Sequence, residues 1–309
     1  MISTGDDYCC QSIKNCSGEA QTNHRKQAHM PSKVGRPPIT QEDRMKLLLM
    51  LLTLFSVTAW AMDSPQQELP STWLEGAYVQ NSEPLLNPKA QASELKAMQE
   101  KGITHLYINL TPAQLANKTV THPQLAELIR NAWMRKITIS PMLKAANHSL
   151  TNYADLPFYS LYVDPDFTQD DSVESWIAVA KQARALTSIP IEITSPALWF
   201  TSESKTTVCV KCALKDLDIN NVTLKTFTKN TDRISDIMHD ASERYPEISF
   251  RTQQHVGIDI GDVDHWADSK SDKADVQKLR QQLSSQRTVG IDWHSWEEFK
   301  ETGLDLRAE

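Results

Sequence analysis

From Trp73 to Thr302 the chain repeats one pattern: a short run of β-forming residues, then a longer stretch of helical period. The predicted strands are Glu75–Gln80, Ile103–Leu110, Lys136–Leu143, Phe158–Asp164, Ile189–Ser195, one or two strands within Ile248–Gln253 and Val256–Ile260, and Thr288–Trp293. Between them lie predicted helices. Lys89–Lys101 carries Leu95 and Met98 on one face, with Gly102 as its stop. The next is expected to start at Thr121 with Pro123 in its first turn, and Leu125, Leu128, Ile129 and Trp133 follow at helical spacing. Others run from Asp171 or Ser172 to Leu186, from Asp232 to Tyr245 and from Asp272 to Gln286. Ser295–Thr302 is a short terminal helix with a Ser295–Glu298 capping box. Trp133 and Trp176 are expected to pack against the sheet.

Seven or eight strands alternating with helices imply parallel βα units. Over about 250 residues this favours a closed (β/α)8 TIM-like barrel over an open sheet. Residues 200–231 break the rhythm, being rich in Thr, Lys and Asn, and are expected to form a loop insertion after the fifth strand. No Gly-rich phosphate loop follows the first strand and no Gly-x-Ser-x-Gly elbow occurs, so nucleotide binding and an α/β-hydrolase are disfavoured.

Upstream of the repeat, Arg44-Met45-Lys46, the apolar run Leu47–Val57 and Ala59-Trp60-Ala61 have the order of a secretory signal. The apolar run is shorter than the roughly 20 residues a spanning helix needs, and no basic stop-transfer cluster follows. The expectation is a signal peptide over 45–61, translation from Met45, an unstructured extension over 1–44, and a single exported barrel domain over 62–309. Its place would be the periplasm or the medium, with no stable membrane insertion. Without residues 1–61 the chain keeps 25 Lys/Arg and 34 Asp/Glu, a net charge of −9. That balance argues against nucleic acid or an anionic membrane as a partner. A monomer is expected. Cys209 and Cys212 are the cysteines that remain, and in an oxidising compartment a local disulfide is their expected state.

Barrel chemistry gathers at the C-terminal ends of strands. Asp164, Glu192, Asp259 and Asp292 lie in or just after predicted strands, and His294 follows the last one. Carboxyls converging on one mouth push their pKa values apart, which acid/base work requires. Each also has a structural alternative. Asp164 opens a turn at Pro165, Asp259 and Asp292 find barrel lysines or arginines, and Glu192 faces a helix lysine. Trp199, Trp266, Trp293 and Trp296 are candidates for stacking on sugar rings, with Asp166 beside them; packing is the commoner fate of Trp.

The strand ends Tyr162-Val163-Asp164 and Gly290-Ile291-Asp292-Trp293-His294-Ser295-Trp296 resemble those of secreted TIM-barrel glycoside hydrolases. The resemblance spans most of residues 73–302 as architecture. It implies a carbohydrate substrate, no cofactor, and paired carboxylates about 5–5.5 Å apart for retention or about 6.5–9.5 Å for inversion. Asp164 with Asp292, or Asp164 with Glu192, are the pairs it suggests. The chain lacks the chitinase Asp-x-x-Asp-x-Asp-x-Glu run and an Asn-Glu pair on the fourth strand. One alternative is therefore a non-catalytic barrel that binds a glycan or a partner. Another is a metal-assisted hydrolase built on Asp259, Asp262, Asp264 and His265, although no resident metal is expected.

Overall fold

The computed structural model describes residues 73–143, 153–165, 167, 171–257, 266 and 270–307. The expected signal peptide and extension, Asp166, and Asp259 with its acidic neighbours lie outside the described residues.

Eight parallel strands close into a barrel in sequence order. They are β1 (Leu74–Val79), β2 (His105–Asn109), β3 (Thr138–Leu143), β4 (Leu161–Val163), β5 (Ile191–Pro196), β6 (Asn221–Lys225), β7 (Ser249–His255) and β8 (Thr288–His294). The register pairing of Gly76 with Asp292 lies on the β1–β8 seam that completes the ring. Helices α1 (Glu83–Leu86) and α2 (Pro88–Glu100) follow β1; α3 (Pro112–Ala116) and α4 (Lys118–Trp133) follow β2. After β4 comes α5 (Val173–Leu186), then α6 (Val210–Asp216) after β5, α7 (Thr231–Arg244) after β6, α8 (Lys270–Ser284) after β7 and α9 (Trp296–Phe299) after β8. Among the described residues no helix is long and apolar enough to cross a membrane.

Local chemistry fixes the helix ends. Gly102 adopts φ +85°, where a Cβ is strained. That lets Gly102 N–H donate to Gln99 O and Ile103 N–H to Met98 O, at 3.1 and 3.0 Å, satisfying carbonyls at the end of α2. Ser295 and Glu298 form the capping box of α9. Two expectations change. The helix placed at Thr121 starts at Lys118, so Pro123 lies inside it and Thr121 is buried rather than a cap. The stretch read as an insertion holds α6 and β6, and β6 pairs with β5 and β7 as a full barrel strand.

Strand side chains alternate between two faces. Outward-facing Ala77, Leu106, Ile139, Ile193, Val222, Phe250 and Ile291 join Leu95, Leu128, Trp176, Ile234, Met238 and Leu279 of the helices in one continuous apolar layer. Trp176 donates its indole N–H to Thr194 O at 2.7 Å. Trp133, at the last position of α4, is 40% exposed and does not pack on the sheet as expected. The outer layer also encloses one acid. Glu75 accepts from Trp73 Nε1 (2.8 Å), Trp293 Nε1 (3.0 Å) and Arg280 Nε (2.7 Å), which ties β1 and β8 to α8.

Candidate functional site

The inward face has a different composition. Typical barrels fill this space with branched aliphatics. Here the second set of the alternation supplies Gly76 and Tyr78 from β1, His105 and Tyr107 from β2, Ser140 and Met142 from β3, and Tyr162 from β4. From β5 to β8 it supplies Glu192, Thr194, Thr223, Lys225, Arg251, Gln253, His255, Asp292 and His294. Contacts between strands that are not neighbours establish the direction, since only lumen-facing side chains can make them. Thr223 Oγ1 donates to Asp292 Oδ2 at 3.0 Å, and Arg251 Nη1 lies 3.4 Å from Glu192 Oε1. Tyr78 and Tyr162 meet hydroxyl to hydroxyl across the barrel.

The deep part of the lumen is an ion network centred on Arg251. Its guanidinium bonds Asp292 and Glu192, and its carbon lies 5.2 Å from the centroid of the Tyr107 ring. The Tyr107 hydroxyl is 3.3 Å from both Asp292 oxygens. Gly76 sits opposite Asp292 in register, and a Cβ there would collide with Asp292 Oδ1 and Arg251 Nη2. Glycine at this position therefore makes room for the pair. Asp292 is 0% and Glu192 2% exposed. One guanidinium faces two carboxyl groups. Burial pushes both acids up while Arg251 opposes it. Burial also works against the Arg251 charge, but the acids Asp292 and Glu192 outweigh it and hold the guanidinium protonated.

Above this network the Tyr78–Tyr162 contact forms a floor, with the Tyr107 ring 4.9 Å from that of Tyr78 and 4.0 Å from that of Tyr162. Burial first, then the nearby acids, pushes the Tyr78 and Tyr162 hydroxyls well above the usual tyrosine value, so both stay protonated donors.

The mouth, at the C-terminal ends of the strands, carries two polar groupings. On one side Asp164, the residue after β4, accepts from Thr194 Oγ1 at 2.7 Å and pairs with Lys225 Nζ at 3.1 Å; its side chain is 14% exposed. On the other, Gln80 Nε2 lies 3.1 Å from His294 Nε2, and Glu297 accepts from the Gln80 and Asn81 backbone N–H groups at 3.3 and 2.9 Å. An amide nitrogen only donates, so His294 Nε2 accepts. The His294 ring centroid is 5.3 Å from that of Tyr78 and 5.0 Å from that of His255.

The structure thus separates the candidate residues. Glu192 and Asp292 come together below the floor, through Arg251, and Asp164 and His294 line the mouth above it. Glu192 meets no helix lysine. The four tryptophans expected as sugar platforms are all buried. Trp199 packs on Trp176 and Phe167, Trp266 donates to Gln254 Oε1 at 3.0 Å, Trp293 faces the outer layer and bonds Glu75, and Trp296 bonds Glu94 at 3.0 Å. Their role is packing, because so little of each ring reaches solvent. A disulfide joins Cys209 and Cys212 at the start of α6, outside the lumen. Among the described residues no three His, Cys, Asp or Glu side chains cluster as metal ligands. Sequence reasoning missed Arg251, Lys225, Tyr78, Tyr107 and Tyr162. The signal was the polar alternation itself, seen in Arg251, Gln253 and His255 along β7.

No protein-family model matches the chain, and no curated protein matches it. Solved structures of similar shape exist. The family GH113 β-mannanase of Alicyclobacillus acidocaldarius is 10% identical, with a TM-score of 0.49 over 76% of this chain and 91% of that one. The endo-1,4-β-D-mannanase of Thermotoga petrophila is 9% identical, with a TM-score of 0.48 over 72% and 87%. The dihydrodipicolinate synthase of Aquifex aeolicus is 15% identical, with a TM-score of 0.36 over 71% and 69%. The likeness to these is one of barrel architecture.

Proposed function

We propose that the chain is a glycoside hydrolase-like protein that takes a glycan at the C-terminal mouth, with Asp164 as the carboxyl that meets it. One observation carries the proposal. Of the acids singled out by the sequence, Asp164 is the one among the described residues that combines a strand-end position in the lumen with a side chain that is not fully buried. Lys225 and Thr194 beside it, and Gln80, Asn109 and His294 on the other side of the mouth, supply donors and acceptors suited to sugar hydroxyls. His294, on the other side of the mouth, is the proposed general acid/base partner, acting through Nδ1 since Nε2 accepts from Gln80. Asp292 and Glu192 are proposed to support the site from beneath rather than to react.

The expected export through residues 45–61 is part of the same proposal, and the Cys209–Cys212 disulfide supports an oxidising compartment. A second reading, a barrel that binds glycan without cleaving it, is favoured by the pairing of Asp292 and Glu192 with Arg251, which occupies two of the expected carboxyls.

The test is reducing-end release by the purified protein from a panel of polysaccharides that includes peptidoglycan, with Asp164→Asn in parallel. Release by the native chain that falls about 100-fold or more in the variant supports hydrolysis at Asp164. Binding of a glycan with no release points to the second reading. Neither binding nor release from any glycan contradicts both.

A further inference from the structure

The Cys209–Cys212 disulfide is open to solvent and holds little of the fold together. Both cysteines are exposed, and the bond joins residues 3 apart in sequence. The stabilisation a disulfide gives grows with the length of chain it closes, so this one adds little. The segment is anchored without it. Val210 and Leu214 are 2% and 1% exposed and belong to the outer apolar layer. Ala213 N–H donates to Cys209 O at 3.1 Å. The two sulfurs are also unequal. Cys209 Sγ accepts from the Cys212 backbone N–H at 3.2 Å. That bond favours negative charge on Cys209, which makes it the better leaving group and directs attack to Cys212 Sγ. Lys215, one turn beyond Cys212 on α6, is exposed and adds positive charge that suits an incoming thiolate.

We propose that Cys209 and Cys212 form a thiol–disulfide exchange site, outside the lumen, whose reaction partner is a dithiol. A partner thiolate attacks Cys212 Sγ and forms a mixed disulfide. The Cys209–Cys212 bond breaks, and Cys209 leaves with the electron pair as a thiolate that the Cys212 N–H holds. The partner's second thiolate then attacks the partner sulfur of the mixed disulfide, and Cys212 leaves as a thiolate. The protein pair gains two electrons, the partner dithiol becomes a disulfide, and the two thiol protons pass through solvent to the cysteines. The buried Val210 and Leu214 keep the segment seated in both redox states.

The test uses the full protein, with dithiothreitol and reduced glutathione as probes and peptide mass spectrometry to locate each modification. Excess dithiothreitol should open the pair, so that both cysteines alkylate, while circular dichroism stays that of the folded protein. After brief exposure to glutathione, an acid quench and alkylation, glutathione should sit on Cys212 and the alkyl group on Cys209 in several-fold excess over the reverse. Unfolding in urea should abolish that bias. Single thiols give an independent readout: Cys209 in Cys212→Ser should alkylate from a lower pH than Cys212 in Cys209→Ser. A pair that opens only on unfolding, glutathione carried mainly by Cys209, or a Cys212 thiol that ionises below Cys209 would each overturn the proposal. The first two readouts use the native chain and stand even if a serine variant does not fold.

Discussion

The lumen holds acids in two settings. Asp292 and Glu192 lie below the tyrosine floor, shut from water and bound to one guanidinium. Asp164 lies above it, with a lysine and a threonine beside it and part of its side chain in solvent. Both settings face the lumen, so direction alone does not separate them; depth does. A carboxylate at depth needs a countercharge to be tolerated at all, and Arg251 fills that need. A carboxylate at the mouth keeps a solvent-facing edge that a substrate can reach.

The largest expected effect breaks the deep setting. Arg251→Met leaves two acids unpaired and should cost about 3–5 kcal/mol in urea unfolding at neutral pH. The pH sense follows from the raised acids. A carboxyl whose folded value lies above its unfolded one contributes stability at low pH and loses it as pH rises through the folded value. Without Arg251 both values rise further, so the deficit should shrink as pH falls toward about 4. A deficit that ignores pH would mean that the acids are not what Arg251 supports.

Leu279→Ala, in the outer layer, sharpens the contrast. It should cost about 3 kcal/mol through a cavity and show no such pH dependence. Gly76→Ala should cost about 1–3 kcal/mol, since a methyl displaces the Asp292–Arg251 pair. Combined with Arg251→Met its penalty should shrink, which a double-mutant cycle reads directly.

Much of the barrel was legible because its outer face is apolar. Strands such as Leu106–Ile108 and helices such as α7, with Ile234, Met238 and Ala241 buried, declare themselves by period. Strand β6 did not. Its lumen-facing Thr223 and Lys225 belong to a polar interior, so Asn221–Lys225 has the composition of a surface loop, and seven-residue α6 is too short to show a helical period. At the site, the candidate acids were legible but their depth was not, because depth depends on barrel stagger that no local pattern carries. One misplacement was avoidable. Once Asp292 and His294 face the lumen, alternation sends Trp293 to the other face, where it bonds Glu75.

The most direct test of the division between the two settings is Asp164→Asn, read for glycan cleavage and urea stability on the same preparation. The expected result is a loss of reducing-end release of about 100-fold or more, with stability within about 1 kcal/mol of the native protein because the side chain is partly solvated. Full release by the variant, or a stability loss as large as that of Arg251→Met, would contradict the account.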